Sequence, residues 1–453
     1  MIVILEKINR LIWGAPTLIL ILAVGICLSI RTKFAQIRLF PKALQLFVSK
    51  FRGKQNSSEG ISPMQALCTA LAATVGTGNL AGVAGAIAIG GPGAIFWMWV
   101  CAFLGMITKY AEATLAVHYR TRNGQNEIVG GPMYMIRSGL GDKWKWLAVL
   151  YSFFGVVAAF GVGNATQINT LICSINDVLV SFGAEVTLNG NVVMGVLFAI
   201  LVAMMLLGGA KKIGTVAEYL VPFASGLYLL LGAYVLVVNA PVIPHAFAAI
   251  FQGAFSPEAV TGGAVGSFVQ AIRIGTSRGV FTNEAGMGTA GIAHGAAEVT
   301  HPTEQGLMGI VEVFLDTIVI CTMTALVILC SGVVIPYGTD TGIQLTNQAF
   351  SAVLGTWVRI PIALSVCCFA FATILGWGLY GARCAQFLFG HTAWKPFVIL
   401  QAVTVVIGAV LGTGTIWTLA EMVNGLMAIP NLIALFCLAP RLEGLTKEYE
   451  QIY

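Results

Sequence analysis

Long apolar stretches alternate with short polar segments along the whole chain. Eleven of them have roughly the length of about 20 residues that a helix needs to cross a bilayer. They fall at residues 11–30, 62–86, 92–117, 146–175, 191–209, 215–239, 259–292, 304–333, 358–386, 396–411 and 415–438. This pattern predicts an all-α integral membrane protein with about 11 transmembrane helices.

Composition agrees with this interpretation. Of the 453 residues, 57% are hydrophobic and 9% are charged, whereas soluble domains contain about 25% charged residues. The longest polar stretches, residues 31–61 and 118–145, are too short for a separate folded domain. We therefore expect the function to lie within the membrane.

Basic residues are concentrated in the loops on one side of the predicted helices. With the N-terminus outside, 18 of the 24 lysines and arginines lie in cytoplasmic loops or the C-terminal tail. The positive-inside rule then places the chain in the cell membrane with the N-terminus outside and the C-terminus in the cytoplasm. The net charge of +5 follows from this topology, and no nucleic-acid partner is expected.

Residues 31–54 combine basic side chains with spaced apolar ones. The apolar set is Phe34, Ile37, Phe40, Leu44, Phe47 and Phe51. The spacing favours an amphipathic helix lying on an anionic membrane surface, and a solvated basic loop is the alternative.

Two groups of five predicted helices have nearly equal lengths. Residues 62–239 contain five and residues 259–438 contain five more. Because five is odd, the second group enters the membrane from the opposite side, which is the inverted repeat of secondary transporters. The predicted organisation is a first helix with the basic segment (1–61), two repeats (62–239 and 259–438) and a cytoplasmic tail (439–453).

The sequence ATVGTGN places glycine, threonine and asparagine inside the second apolar stretch, at Gly76 to Asn79. Glycine weakens a helix by about 1 kcal/mol, so we expect a broken helix whose free N–H and C=O groups bind a carboxylate, an ammonium or Na⁺. Close helix packing is the alternative. The match to a GxGxxA dinucleotide motif fails because no strand accompanies it.

A similar sequence, IGTSRG at 274–279, lies about 200 residues later. It predicts a second break at Ile274, Gly275, Thr276, Ser277 and Arg278, with carbonyls and hydroxyls free to bind substrate. Arg273 and Arg278 are costly at membrane depth. They either reach an acid such as Glu284 or a cavity, or the span is offset. The structural alternative is that both form gate or structural ion pairs.

Polar residues in the other apolar stretches give further candidates. Asn164, Gln167 and Thr170 recur on one helical face, and we expect Gln167 and Thr170 to reach the substrate carboxylate, with interhelical hydrogen bonds as the alternative. The sequence HGAAEVTH aligns His294, Glu298 and His301, a conceivable but disfavoured metal site. Glu112, Glu312 and Asp316 serve either proton coupling or pairing with Lys109. The ten cysteines form no CxxC pair, so neither disulfides nor zinc are expected.

Three segments of the chain form recognisable motifs: the run from GTGNLAG to VHYR at 76–120, GGPMYMI at 130–136 and FTNEAGMGTAGIAHGAA at 281–297. All three closely resemble the alanine or glycine:cation symporter (sodium:alanine symporter) family. The resemblance extends over essentially the whole chain. It implies a leucine-transporter type of fold: one N-terminal helix plus a five-plus-five inverted repeat, with substrate and Na⁺ at two broken helices.

The resemblance also implies roles for single residues at the first break. Thr74 would offer a carbonyl to the substrate amine, Thr77 and Gly78 would offer N–H groups to its carboxylate, and Asn79 would help to hold Na⁺ or touch the substrate. This chain departs from the related neurotransmitter:sodium symporters at Ala73, and at Thr77, where they carry leucine.

The segment FAFATILGW at 369–377 resembles the part of this fold that faces the first break. It implies a sodium site formed by the carbonyls of Ala72, Val75 and Ala370 and the hydroxyl of Thr373, although Ile374 replaces a second hydroxyl. Trp377 either caps the substrate pocket, where it would limit side-chain size together with Ile274, or is a packed membrane tryptophan.

These observations predict a secondary transporter that couples Na⁺ to the uptake of small neutral amino acids, alanine and glycine first. The expected partners are the amino acid, sodium and the lipid bilayer. No enzyme activity, no cofactor beyond the coupling ion and no obligate protein partner are expected. The alternatives are a proton-coupled symporter of the same fold and, more remotely, an intramembrane metal enzyme using Glu298 and the two histidines.

Overall fold

A computed structural model describes residues 12–53, 60–256, 261, 268–339, 341–411 and 413–452. Lys7, Arg10, Lys54, Gly412 and the beginning of the predicted stretch 259–292 lie outside these residues. Nearly all of the described chain is helical, which confirms the all-α prediction.

The α-helices are short in the polar segments and long in the apolar ones. In chain order they are α1 (Ala15–Arg31), α2 (Ala35–Arg38), α3 (Phe40–Arg52), α4 (Pro63–Thr74), α5 (Val83–Gly90), α6 (Gly93–His118), α7 (Pro132–Met135), α8 (Lys145–Phe160), α9 (Thr166–Ser181), α10 (Leu188–Leu206), α11 (Gly209–Val238), α12 (Ile243–Phe255), α13 (Phe268–Asn283), α14 (Thr289–His294), α15 (Pro302–Val313), α16 (Thr322–Cys330), α17 (Gly342–Leu354), α18 (Arg359–Phe389), α19 (Trp394–Val410) and α20 (Thr413–Ile452).

Other helical turns join or interrupt these helices. π-helical segments occur at Gly78–Gly82, Ile136–Leu140, Gly161–Ala165 and Phe314–Cys321, and 3₁₀ turns at Asp142–Trp144, Ala240–Val242, Thr356–Val358 and His391–Ala393. Strands β1 (Thr121–Arg122) and β2 (Ile128–Val129) form one antiparallel hairpin. Because π turns often occur at functional sites, the π segments within the apolar helices are candidates for parts of such a site.

Membrane-crossing helices occupy most of the predicted stretches. Within the described residues, eight helical segments are long and apolar enough to cross a bilayer, or nine if α4 and α5 are one bent span. Of the remaining two predicted spans, 11–30 contains the 17-residue helix α1 and 259–292 is only partly described. The count of 11 therefore stays a prediction.

Two helices occupy segments that the hydrophobic pattern left as loops. Helix α12 lies in the predicted connection 240–258, and α17 lies in the connection 334–357. Helix α17 packs on the first repeat, where the Thr346 hydroxyl donates to the Leu80 carbonyl at 3.1 Å. Their 13-residue lengths are below the bilayer thickness, so a search for 20-residue spans does not detect them.

The basic segment forms helices α2 and α3. Helix α3 carries Lys42, Lys50 and Arg52 without an acidic residue, and Ala43 on its inner side is buried. The ring of Phe40 packs edge-on against Phe314 at 5.0 Å. The predicted amphipathic helix thus exists, and part of its apolar face covers protein.

The chain segments that precede α4 and follow α14 are joined by a short parallel bridge. Ile61 pairs with Ala297: the Ile61 N–H donates to the Ala296 carbonyl at 3.3 Å, and the Glu298 N–H donates to the Ile61 carbonyl at 3.0 Å. Arg120 adds a hydrogen bond of 2.5 Å to the Ala297 carbonyl. The bridge joins the two halves of the chain at the ends of two helices that form the candidate site.

Candidate functional site

The first broken helix lies where the sequence predicted it. Helix α4 starts with Pro63 after a capping box made by Ser62 and Gln65, and it ends at Thr74. Helix α4 and the following segment Gly78–Gly90 meet at an angle of 50°. At the bend, the amide N–H of Gly76 donates to Asn79 Oδ1 at 2.9 Å. The break is confirmed, and Asn79 stabilises it.

The predicted second break at Ile274–Arg278 is wrong. Helix α13 continues through these residues to Asn283. A methyl group added to Gly275 would lie 2.3 Å from the Ala94 carbonyl oxygen, and one added to Gly279 would lie 3.1 Å from the Cβ of Cys101. These glycines therefore allow α13 to pack closely on α6, the role that small residues often have between membrane helices.

The second break lies at residues 284–288, between α13 and α14. Three residues there have positive φ angles, at 53° for Glu284, 97° for Gly286 and 76° for Gly288. Glycine adopts this conformation readily, whereas a residue such as glutamate does so at some cost. Sequence reasoning used the motif FTNEAGMGTA only for the family resemblance, although its two glycines are the signal that marks this break.

Ile274, Gly275, Thr276 and Ser277 lie away from the first break. Ile274 Cγ2 would be 3.0 Å from a methyl group on Gly90, and Gly90 ends α5, roughly 18 Å along the helix from Gly78 at 1.5 Å per residue. The Thr276 carbonyl accepts a hydrogen bond from the Cys101 thiol at 3.7 Å. The substrate roles predicted for these four residues are untested, and the structure does not bring them to the break.

Phe281 and Thr282 occupy the position beside the first break. A methyl group on Gly78 would lie 3.4 Å from Phe281 Cδ1 and 3.4 Å from Thr282 Cγ2. The last turn of α13 therefore packs beside Gly78 at the first break. Sequence reasoning missed both residues because it placed the break about three helical turns too early.

A chain of polar groups connects the two breaks. Asn79 Nδ2 donates to Asp316 Oδ1 at 2.6 Å, the Thr317 hydroxyl donates to Asp316 Oδ2 at 2.8 Å, and Asn283 Nδ2 donates to the Thr317 hydroxyl at 3.2 Å. Asp316 and Thr317 lie on the π segment Phe314–Cys321 and are fully buried. This carboxylate therefore links Asn79 to the end of α13.

Of the polar stripe on the fourth predicted span, Gln167 reaches the first break. Its Oε1 accepts a hydrogen bond from the Thr77 hydroxyl at 3.2 Å, and its Nε2 donates to the Val162 carbonyl at 3.1 Å. Asn164 donates to the Gln401 carbonyl at 2.9 Å, and the Thr170 hydroxyl donates to the Thr166 carbonyl at 3.0 Å. The interhelical alternative describes the contacts of both Asn164 and Gln167, and the predicted contact of Gln167 and Thr170 with a substrate carboxylate stays a prediction.

The candidate sodium site brings α4 and α18 together. The Thr373 hydroxyl lies 2.9 Å from the Ala72 carbonyl oxygen and 2.9 Å from the Phe369 carbonyl oxygen. A methyl group on Gly76 would lie 2.8 Å from Thr373 Oγ1, so the break itself adjoins this hydroxyl. Val75 and Ala370 are fully buried, and their predicted role as sodium ligands stays a prediction. Oxygen donors of this kind suit a hard cation.

Two buried glutamates hold the second break. Glu112 Oε1 accepts hydrogen bonds from the Gly286 N–H at 2.8 Å, the Gly288 N–H at 3.0 Å and Asn431 Nδ2 at 2.8 Å. Glu284 accepts from Thr289 Oγ1 at 2.6 Å and from Trp377 Nε1 at 2.9 Å. A carboxylate that accepts backbone N–H groups stabilises the irregular backbone, which would otherwise leave donors unpaired.

Trp377 lies between the π segment Gly161–Ala165 and Glu284 of the second break. Its side chain is fully buried, and a methyl group on Gly163 would come within 2.2 Å of its Cβ. Besides its hydrogen bond to Glu284, its ring packs edge-on against Tyr380 at 5.9 Å. The packed-tryptophan alternative describes these contacts, and the predicted role as a pocket wall is untested.

The histidines of HGAAEVTH face different partners. His294 Nε2 lies 3.0 Å from Glu312 Oε2, which in turn pairs with Lys109 at 2.9 Å through its other oxygen. His301 Nδ1 accepts from the Thr303 N–H at 3.2 Å and caps α15. Among the described residues, no group of three or more His, Cys, Asp or Glu side chains is arranged to hold a metal. Glu312 therefore belongs to a buried ion pair, as the structural alternative predicted.

The two arginines of the predicted break, Arg273 and Arg278, differ in their exposure on α13. Arg273 is exposed, and Arg278 is half-buried. Glu284 hydrogen bonds to Trp377 and Thr289 instead of to either guanidinium. The proposed pairing of these arginines with Glu284 is therefore wrong.

Comparisons with known proteins find related transporters over the whole chain. A family model described as the sodium:alanine symporter family matches residues 1–453. Among curated proteins, a sodium/alanine symporter, AgcS, of Methanococcus maripaludis is 44% identical over 99% of this chain and 97% of its own length. An uncharacterized transporter of Haemophilus influenzae is also 44% identical, over 99% of this chain and 96% of its own length.

Among solved structures, MhsT in complex with L-phenylalanine has a similar fold. The TM-score is 0.58 at 15% sequence identity, and the match covers 86% of this chain and 99% of MhsT. At this identity the likeness concerns the fold alone. It agrees with the predicted fold of the leucine-transporter type.

Proposed function

The chain belongs to the sodium:alanine symporter family, and from this premise we propose that it carries alanine and glycine into the cell together with Na⁺. The family and the named relative are symporters, so the chain is a multi-pass membrane transporter and not an enzyme. The choice of alanine and glycine and the coupling to sodium are the proposal. The observation that supports it best is the contact between the first break and Thr373, 2.9 Å from the Ala72 carbonyl.

We place the amino acid between the first break and the last turn of α13. Free N–H groups at Thr77 and Gly78 would bind its carboxylate, and the carbonyl of Thr74 would bind its ammonium. The Gln167 amide, which accepts from the Thr77 hydroxyl, would complete the carboxylate side, with Thr170 one turn further along α9. Phe281 and Thr282 replace Ile274–Ser277 as the opposite side of this pocket.

Na⁺ would bind next to the substrate rather than in a separate cavity. The carbonyls of Ala72, Val75 and Ala370 and the Thr373 hydroxyl would be its ligands. Because Ala72 and Val75 flank the end of α4, a cation there would fix the angle of the first broken helix. Sodium binding would thereby order the N–H groups that recognise the amino acid, which is a direct route to coupling.

The direct test is alanine binding to purified protein in lipid nanodiscs. We expect binding in NaCl and at least a tenfold loss of affinity when K⁺ replaces Na⁺ at equal ionic strength. Alaninamide and propionate, which each lack one charged end, should not bind. Equal alanine affinity in both salts would overturn sodium coupling, and tight binding of propionate would overturn the proposed ammonium site.

A second candidate, proton coupling, is favoured by one observation. Asp316 is a fully buried carboxylate 2.6 Å from Asn79 at the first break, and a buried acid in a transporter is a potential proton carrier. Glu112 is less suited to this role because three donors hold one of its oxygens. Uptake of alanine driven by a pH gradient without Na⁺, and lost in Asp316→Asn, would select this alternative.

A further inference from the structure

An apolar cavity of about 140 Å³ lies on the side of α4 that faces α11. Helix α3 and the π segment Phe314–Cys321 complete its wall. Apart from the hydroxyl of Ser225 and the thiol of Cys68, the described side chains that line it are apolar. A small polar substrate has no partner for its charges in such a site, so this cavity does not belong to the transport pocket.

The lining of the cavity extends along α4. The cavity is lined by Met64, Cys68 and Leu71 of α4 and by Val75, which follows α4. Their spacing of four, three and four residues places them on one side of this segment. At a rise of 1.5 Å per residue, this row extends roughly 16 Å along the helix. Its dimensions suit an extended hydrocarbon chain better than a compact ligand.

One end of the cavity reaches the surface at a basic helix. Phe47 and Phe51 of α3 line it, and the Phe51 side chain is 61% exposed. Lys50 and Arg52 flank Phe51, and Lys50 lies 4.0 Å from Glu304. Since α3 carries three basic residues and no acidic one, the charge at this end favours an anionic headgroup over a zwitterionic one.

We propose that this cavity binds one acyl chain of an anionic phospholipid from the leaflet next to the basic loops. The chain would enter past Phe51, with the phosphate near Lys50 and Arg52, and its end would approach Val75. Because Val75 follows the last residue of α4 at the first break, the bound chain would support α4 in its observed position. The lipid is then a structural ligand whose site is separate from the transport pocket.

The test uses phosphatidylglycerol with a photoreactive diazirine near the end of one acyl chain. After illumination of the protein in nanodiscs, we expect labelled peptides from residues 64–75 and 221–229. Ser225→Phe, which fills the cavity, should lower this labelling at least fivefold. Ala233→Phe is the matched control, because Ala233 is exposed two turns further along α11 and does not line the cavity.

Further measurements separate the alternatives. Should Ser225→Phe prove unstable in a thermal-shift assay, Leu229→Trp replaces it as the filling variant. Lys50→Gln combined with Arg52→Gln should reduce labelling by phosphatidylglycerol to the level of the phosphatidylcholine analogue. Labelling that is equal in the filled variant and in wild type would overturn the proposal. So would equal labelling of the wild type by the phosphatidylglycerol and phosphatidylcholine analogues, because the anionic headgroup would then contribute nothing.

Discussion

The Thr373 hydroxyl of α18 is a single group that contacts α4, which lies about 300 residues earlier in the sequence. It lies 2.9 Å from the carbonyl oxygen of Ala72, in the last turn of α4 before the bend that begins at Val75. A hydroxyl in this position either donates to the carbonyl or turns its oxygen to a bound cation. The choice between these two states makes Thr373 the most informative residue to change.

We expect Thr373→Ala to raise the Na⁺ concentration needed for half-maximal alanine binding by about tenfold or more, since one of few oxygen ligands is removed. The measurement is alanine binding titrated with NaCl. Thr373→Ser keeps the hydroxyl and is the matched control, with an expected change of less than about threefold. An unchanged sodium dependence in Thr373→Ala would remove this residue from the sodium site.

Gln167 lies on the other side of the same break, where it accepts a hydrogen bond from the Thr77 hydroxyl. Gln167→Ala should lower the affinity for alanine by about tenfold or more, because a hydrogen bond to a charged group contributes about 1.5 to 3 kcal/mol. Sodium affinity measured without amino acid should stay the same. If folded Gln167→Ala protein binds alanine normally, the residue serves helix packing.

At the scale of whole helices, the two breaks differ in how they can be recognised from sequence. The first has two glycines with an asparagine that satisfies the freed Gly76 N–H, and the pattern located it correctly. At the second, the glycines of IGTSRG allow α13 to pack closely on α6. The N–H group of Gly286 in the true break donates to Glu112, which lies 174 residues away in sequence. A local pattern cannot report a partner so distant in sequence.

The packing role of Gly275 leads to a prediction at this scale. Gly275→Ala should destabilise the protein by about 1 to 3 kcal/mol, because the added methyl group meets the Ala94 carbonyl at 2.3 Å. The melting temperature in detergent should fall accordingly. Alanine affinity of the remaining folded protein should change little.

Gly226 provides the control for this experiment. A methyl group there meets nothing within 4 Å, so Gly226→Ala should be neutral or stabilising by up to about 1 kcal/mol. If Gly275→Ala left the melting temperature unchanged and abolished alanine binding instead, the residue would belong to the pocket after all.

At the scale of the molecule, the hydrophobic pattern predicted the membrane architecture well. Most predicted spans contain a helix long enough to cross the bilayer. The pattern did not predict α12 and α17, since both are too short to cross. It also did not place Asp316 in the site, because its contact with Asn79 connects residues 237 apart in sequence. Contacts between the repeats depend on three-dimensional packing, which periodicity does not encode.

The charge asymmetry of the loops predicts an orientation that can be measured. A fluorescent protein fused after Tyr453 should fold and fluoresce, because we expect the C-terminus in the cytoplasm. Alkaline phosphatase fused after Thr339, in the connection between α16 and α17, should be active because that connection should face outward. The reverse pair of results would show that the chain is inserted in the opposite orientation.

The bridge between Ile61 and Ala297 couples helices α4 and α14, so that we expect them to move together. Helix α4 belongs to the first broken span and α14 to the second, and their ends are tied by two backbone hydrogen bonds. Each such bond contributes about 1 kcal/mol net. Rotating α4 and α14 together keeps both bonds and therefore costs less free energy than separating the two helix ends. If the transporter opens toward this side, α4 and α14 would therefore rotate together as one rigid unit. A reversible disulfide between Ile61→Cys and Ala297→Cys should leave alanine uptake intact, and uptake that returned only on reduction would mean that the two ends must part.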